Sequence, residues 1–514
     1  STVEISQMSA DFKETIAKLH AGLRRKFVSA ETRDVAWRRR QLKRLLLLLD
    51  ENAESLSAAI GADLRRPASE ASSEVAVTAR EAADALASFE DWMRPQWSAA
   101  HVFVAPAGQE VRFEPYGASL IVAPYNYPVN LLFAPLVGAF AAGCNAMLKP
   151  SEISVATEKL LVQLVPKYFS PEDCCVVSGA AEETAAILEL RWDMVFFTGS
   201  TRVGKIVAQA CAKHLTPHVL ELGGKAPCVV DETATSLREA ARRIISTKLI
   251  NAGQTCMAPD YVIAHENIMD ELCDELQACV RLFYGDNPKE SPDLARLVTP
   301  RHARHVIDLL DDSDGDVLCG GSAEVDEAEG YIPPTIVKNP TLGRSALLRD
   351  EIFGPVLPVI SFSSFANAVD QISNIDPEPL ALYIFSGRKQ VQEQYIAHVR
   401  SGDVCINDCY VHALLAGVPF GGQGTSGYGA YHGRFTFEAF SAKRGVLHRH
   451  GLLDVAYLVP NPGGPNLRYP PDTRWRQWLL PTLLRYGPTL HRIFTLETFA
   501  YAVFFAAVLA AFLR

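Results

Sequence analysis

Positive charge is in deficit: 49 lysines and arginines face 59 aspartates and glutamates, for a net charge of -10. That balance provides no electrostatic footprint for a nucleic-acid backbone, so DNA and RNA binding are set aside. Cysteine pairs at zinc or redox spacing are missing too. The eleven cysteines are scattered, and neither the adjacent Cys174 and Cys175 nor the loose Cys405 and Cys409 matches C-x-x-C. No metal site is therefore expected, and reduced thiols in a cytosolic setting are the better reading. The first twenty residues, STVEISQMSADFKETIAKLH, lack the apolar run of a secretory signal. No repeat of solenoid length and no low-complexity tract divides the chain.

What is present is length. At 514 residues the chain exceeds one ordinary domain of roughly 150 residues. Hydrophobic residues at 48% and charged residues at 21% suit a globular enzyme. From Ile16 to about Trp97 the apolar spacing is helical, in LRRKFVSA, in VAWRRRQLKRLLLLLDENAESLSAAI and again from Ser73 to Trp92. Between Ala118 and Glu221, short apolar runs (ASLIVAP, NAMLKP, CCVVSG, DMVFFTG, HVLELGG) alternate with helix-length segments. That alternation predicts a parallel sheet covered by helices, with ligands at the carboxyl ends of its strands. A second series runs through APCVV, YVIAH, VLPVISF, LALYIFSG and DVCIND. The fold class is thus α/β, with two doubly wound parallel-sheet lobes behind an N-terminal helical region.

The expected boundaries are 1–98 for the helical region, 99–221 and 222–417 for the two lobes and 418–450 for a return segment. A Pro/Gly-rich linker with an amphipathic interfacial stretch, WRQWLLPTLLRYG, covers 451–491, and an apolar tail covers 492–514. Sixteen residues from Thr498 to Leu513 carry no charge. Extended back to Ile493 the run would measure ~31 Å at ~1.5 Å per residue, enough for a ~30 Å hydrocarbon core. Glu497 falls in the first turn, where it can reach the headgroups. The tail is therefore expected to be a membrane helix; the competing reading is a buried or dimer-contact helix.

Four motifs carry chemistry. NAGQTCMAP puts Cys256 after a Gly/Gln/Thr loop; a lone cysteine is usually an inert small hydrophobe, so its context has to decide. LELGGK, 35 residues upstream, ends a strand with Glu221 and follows it with Gly223 and Gly224. A carboxylate there can act as a base over a cleft, or can be a surface acid beside a turn. In PYNYP, Asn126 sits between two prolines, its amide able to donate to an oxyanion. DMVFFTGSTRVGK runs through Gly199 into a helix whose first N–H groups suit a phosphate. A literal G-x-G-x-x-G at Gly422, Gly424 and Gly427 lacks a preceding strand and a downstream acid, and reads as a structural loop.

In this order PYNYP, LKPSE, FTGSTRVG, LELGGK, GQTC and EIFGP resemble the aldehyde dehydrogenase superfamily over nearly the whole chain to about Val446. The ending PFGGQGTSGYGAYHGRFTFEAFSAKRG resembles the class-three branch, which includes the fatty aldehyde dehydrogenases. The resemblance implies Cys256 as nucleophile, Glu221 as general base and Asn126 as oxyanion donor. It makes 99–221 the dinucleotide-binding domain, 222–417 the catalytic domain and 418–450 an oligomerisation segment of a homodimer. Lys149 and Glu152 would hold the adenosine ribose, Gly199 and Ser200 the pyrophosphate, and Glu351 and Phe353 the nicotinamide ribose and ring, with Tyr125 and Val203 also bordering the cofactor. NAD is the expected cofactor, with NADP tolerated. Tyr125 stands where the family usually has Trp, and the interval from Glu221 to Cys256 is one residue longer than usual. A membrane tail beside such a site points to an apolar substrate, a long-chain aliphatic aldehyde or an apocarotenal such as β-apo-4'-carotenal; the alternative is a soluble aldehyde dehydrogenase of broad specificity whose tail serves assembly. The implied location is a membrane, the endoplasmic reticulum foremost, with the catalytic lobes in the cytosol.

Overall fold

A computed structural model of the chain describes residues 10–99, 107–415 and 417–449, with Gln477, Pro481 and Arg485 beyond them. The expected linker and anchor, 451–491 and 492–514, otherwise lie outside the described residues. Among the described residues no helix is long and apolar enough to cross a membrane.

The larger of two compact units takes residues 1–92 and 115–441. It begins with four helices, Ala10–Val28, Val35–Glu51, Ala53–Leu64 and Ala68–Trp92. The long second run of the sequence is broken at Asn52, and the third helix ends on Arg65 in a left-handed conformation, as a helix C-terminus often does. The Asp34 side chain caps the second helix by accepting from the Ala36 N–H.

Two sheets follow. In the first, the strands Ser119–Val122, Ala146–Lys149, Met194–Thr198 and His218–Glu221 are parallel and almost wholly buried, as strands covered by helices on both faces must be. Strand order places Met194–Thr198 on one side of Ser119–Val122 and Ala146–Lys149 on the other. The chain therefore reverses direction of travel at Ser119–Val122, and the carboxyl ends on either side of it frame a crevice suited to a ligand. Leu120, Met147, Val195, Phe197 and Leu220 form the core beneath that crevice, with Ile16 and Leu23 of the first helix. The helix Asn130–Ala142, buried along nearly its entire length, packs against the helix Ala68–Trp92.

The second sheet has seven strands, six of them parallel: Thr335–Lys338, Val356–Phe362, Tyr261–His265, Pro227–Val230, Ala381–Phe385 and Asp403–Ile406, with the antiparallel Asp316–Cys319 at one edge. Both expected α/β series are thus parallel sheets.

The smaller unit contains the strands Gln96–Ala99, Ala107–Pro115 and Ser441–Arg449 in one three-stranded sheet. Within that sheet Ala107–Pro115 pairs with nearby Gln96–Ala99 on one side and lies beside Ser441–Arg449, more than three hundred residues on, on the other, a partnership that local periodicity does not encode.

Candidate active site

Nine of the eleven cysteines are buried; Cys256 and Cys319 are only partly so. Cys256 lies on the loop that follows the helix Leu237–Leu249. That loop is built under backbone constraint: Asn251, Ala252 and Gly253 all have positive φ, at 52°, 51° and 78°. Gly253 is required, because a Cβ there would run into the Gly354 carbonyl. Gln254 is fully buried and anchors the loop. Its side chain donates to the carbonyls of Asn251 (3.0 Å) and Arg296 (2.9 Å) and accepts from the Val298 N–H (3.0 Å).

Asn126 comes off the strand Ser119–Val122 and meets this loop. Its Nδ2 donates to the Gln254 carbonyl at 3.0 Å, while Asn251 Nδ2 donates to the Asn126 carbonyl at 2.9 Å. Next to it, the hydroxyls of Tyr127 and Thr255 are 2.8 Å apart. The two segments singled out in the sequence are therefore tied together over the residues just before the thiol.

Glu221 ends its strand opposite Thr198 and pairs across an antiparallel bridge with Gly427. The G-x-G-x-x-G segment is a structural loop: Ser426 accepts from the Leu222 N–H at 3.0 Å, and a Cβ on Gly427 would strike the Leu220 carbonyl. The Glu221 side chain is buried, and neither carboxyl oxygen has a hydrogen-bond partner. Burial, and then the negative charge of Asp403, push its carboxyl well above the usual carboxylate range.

The Cys256 thiol is pushed up to about 12 by burial, then by the carboxylates of Glu351 and Glu221; the backbone N–H groups of Cys256 and Met257 oppose the rise. Glu351 itself is pushed up to about 8, by burial first and then by Asp260, against a hydrogen bond from the Gly224 N–H. A Cβ on Gly223 would overlap the Glu351 carboxylate, so LELGGK and EIFGP close on each other at this point. Phe353 is held at a φ of 48°. Its ring lies 6.1 Å from that of Tyr125, which in turn sits 4.9 Å edge-on from His302.

The other expected cofactor residues lie along the carboxyl edge of the first sheet. Lys149 ends its strand beside Val122, buried, with Nζ 3.6 Å from the half-exposed Glu152 carboxylate. Gly199 leads from the neighbouring strand into the helix Thr201–His214. Ser200 caps that helix, its Oγ accepting from the Val203 N–H at 3.4 Å.

Several contributors had no local signature in the sequence. Tyr383 is fully buried and donates to the Met257 carbonyl at 2.5 Å, directly after the thiol. Lys225 is ion-paired with Asp260 and donates to the carbonyls of Leu347 (2.9 Å) and Asp350 (2.7 Å), while Asp260 accepts from the Ile352 N–H at 3.1 Å. Tyr431 is buried near both Glu221 and Cys256, whose charges raise its hydroxyl further after burial. Tyr383, Lys225, Asp260 and Tyr431 all owe these places to partners distant in sequence.

Comparison with known proteins identifies the family. Residues 2–446 match the sequence profile of the aldehyde dehydrogenase family. Aldehyde dehydrogenase family 3 member B1 of Bos taurus is 41% identical over 463 residues, covering 90% of this chain and 95% of the relative. Family 3 member H1 of Arabidopsis thaliana is 40% identical over 466 residues, covering 90% and 93%. Among solved structures, a substrate-bound state of Staphylococcus aureus AldH superposes with a TM-score of 0.85 at 34% identity, covering 91% of this chain and 99% of that one. An NAD-dependent aldehyde dehydrogenase from Sinorhizobium meliloti gives 0.77 at 27% identity, covering 85% and 88%. With the profile spanning most of the chain and family 3 members aligned nearly end to end, this protein belongs to the aldehyde dehydrogenase family, in its class-three branch, and is an oxidoreductase acting on aldehydes.

Proposed function

We propose that the chain oxidises long-chain aliphatic aldehydes to carboxylic acids with NAD(P), using Cys256 as nucleophile, Glu221 as general base and Asn126 as oxyanion donor. The observation that carries this reading is that Cys256, a residue only partly buried, feels the charge of the buried Glu221 carboxyl, which has no partner on either oxygen. A buried polar group left unsatisfied costs ~1 to 3 kcal/mol. A fold that keeps one beside a thiol is arranged for a reactant or water that arrives later.

An aldehyde hydrogen is not hydridic until a nucleophile adds to the carbonyl carbon. The Cys256 thiol gives up its proton to solvent and its sulfur makes that bond as the carbonyl π pair moves onto oxygen. The resulting oxyanion is received by the second N–H of the Asn126 amide and by the Cys256 backbone N–H. A bound nicotinamide supplies the hydride acceptor. Collapse of the oxyanion releases hydride and leaves a thioester on Cys256. Glu221 then takes a proton from water, whose oxygen attacks the thioester; the acid departs and the proton returns to sulfur.

The residues suit a dinucleotide. A buried ammonium, a nearby carboxylate and the N-terminus of a helix of fourteen residues all face the carboxyl edge of one parallel sheet beside its reversal point. In this reading Lys149 and Glu152 take the adenosine ribose, and Gly199, Ser200 and Val203 border the pyrophosphate. Glu351, Phe353 and Tyr125 border the nicotinamide ribose and ring. A carboxylate at a ribose 2'-hydroxyl repels a 2'-phosphate, which favours NAD over NADP.

An apolar substrate is supported by the segment that follows Tyr410. Tyr410 is within reach of the Cys256 charge, and Val411, Leu414, Leu415 and Val418 beyond it leave apolar side chains exposed. The uncharged run Thr498–Leu513 supports attachment to a membrane, and the family resemblance supports a homodimer. The test is mass spectrometry of protein quenched during turnover of hexadecanal with NAD: an acyl adduct is expected on Cys256, and Cys256→Ala should abolish both adduct and turnover. Turnover of hexadecanal should exceed that of acetaldehyde and benzaldehyde; a preference for acetaldehyde removes the long-chain assignment. Apocarotenal in the same panel decides between the two apolar substrates.

A further inference from the structure

Two carboxylates of the helix Ala68–Trp92, remote in sequence from the reacting groups, hold both loops that carry them. Glu74 Oε1 accepts from the N–H groups of Val129 (2.8 Å) and Asn130 (3.0 Å), fixing the start of the helix that follows Asn126. One turn earlier, Glu70 Oε2 accepts from the Asn251 N–H at 2.9 Å, five residues before Cys256. Arg66 faces both acids, with Nε 3.5 Å from Glu70 and an ion pair to Glu74. Its guanidinium also lies 4.6 Å over the Tyr127 ring, whose hydroxyl meets Thr255.

The Glu70 contact falls on the strained part of the nucleophile loop. Asn251 and Ala252 hold left-handed backbone that side chains with a Cβ rarely adopt, and such a conformation persists only where its surroundings over-determine it. The Asn251 side chain is committed to the Asn126 and Gln254 carbonyls. Gln254 holds the Asn251 carbonyl, and Glu70 holds its N–H.

We propose that Glu70 is a positioning residue of the reaction: its side-chain oxygen holds the turn Asn251–Gly253, and so fixes where the Cys256 thiol meets the Asn126 amide. This inference rests on Cys256 being the nucleophile. It assigns Glu70 no proton transfer and no contact with substrate. Its role is that of a hydrogen-bond acceptor at a set distance, with Arg66 balancing its charge.

The test is steady-state kinetics with hexanal and NAD on Glu70→Ala, Glu70→Gln and Glu70→Asp, together with the rate at which iodoacetamide alkylates Cys256. Glu70→Ala is expected to lower kcat at least tenfold, with KM for NAD within threefold of the parent and altered alkylation of Cys256. Glu70→Gln keeps an acceptor oxygen at the same reach and should restore kcat to within threefold. Glu70→Asp keeps the charge facing Arg66 but falls short of the Asn251 N–H, and should be impaired like Glu70→Ala; it replaces that variant if Ala does not fold. Parental kcat in Glu70→Ala or Glu70→Asp overturns the proposal, as does a Glu70→Gln no better than Ala. Should Cys256→Ala still turn over, the nucleophile assignment itself fails. Intact dependence on Cys256 with indifferent Glu70 variants removes this inference alone.

Discussion

The Asn126 amide donates to the Gln254 carbonyl at 3.0 Å, two residues before Cys256. That bond uses one of the two amide protons and orients the other. Because Gln254 is itself held by four further hydrogen bonds through its side chain and carbonyl, the donor is in place before any charge develops, which is where such a group is most effective. Asn126→Ala should therefore lower kcat by about a hundred- to a thousandfold, the loss typical of one oxyanion donor, with little change in NAD binding measured by fluorescence. A loss below about threefold would show that the amide has only a structural part.

Glu221 gives a pH dependence whose sign follows from its surroundings. Burial and Asp403 favour the protonated carboxyl, whereas a general base works only when ionised. Hydrolysis of the acyl-enzyme should thus accelerate as pH rises through a range well above that of an ordinary carboxylate, followed by quenching and mass spectrometry at Cys256. Glu221→Gln should lengthen the acyl-enzyme lifetime and remove that rise. An unchanged lifetime in the variant contradicts the role.

The thiol itself should be slow to ionise. With Cys256 pushed up to about 12, the thiolate fraction grows about tenfold per pH unit over the neutral and mildly alkaline range. Alkylation of the protein by iodoacetamide without cofactor should track that growth with no plateau below about pH 9. Glu351 is the larger of the two carboxylate influences on the sulfur and is itself pushed up to about 8. Glu351→Gln should consequently speed alkylation above pH 8, where the parent carboxylate is ionised, and have less effect below it. A plateau near neutral pH in the parent protein would contradict this picture.

Much of this site is legible because its parts are local. Asn126 between two prolines, Glu221 at a strand end before two glycines and Cys256 after GQT each announce a turn at the end of an element, and turns at strand ends are where a parallel sheet puts its ligands. What binds the turns to one another is not local. Glu70 reaches Asn251 across 181 residues and Tyr383 reaches Met257 across 126; nothing in the periodicity around Glu70 separates it from an ordinary helix-surface acid. The strand Ala107–Pro115 is hidden for the same reason, its partner Ser441–Arg449 lying at the far end of the described chain. Local chemistry marks the reacting groups, and long-range hydrogen bonds set their geometry.

His412 links the site to acid stability. Its ring lies 5.9 Å from that of Tyr383 and 6.2 Å from that of Phe420, and neither ring nitrogen has a hydrogen-bond partner. Burial pulls its pKa down from 6.5 to about 4, so the folded protein keeps it neutral while an unfolded chain protonates it near 6.5. Between those values the unfolded state binds more protons, and stability must fall as pH is lowered through that window. The full contribution of this one group is roughly 3 kcal/mol, reached below about pH 4. His412→Leu removes the proton linkage and the two unsatisfied nitrogens together. The gap in Tm between variant and parent should therefore widen in favour of the variant as pH drops from about 6.5 to about 4. Thermal melts that keep a constant offset across that range would mean the imidazole is solvated in the folded state, and would remove it from the set of buried groups behind Tyr383.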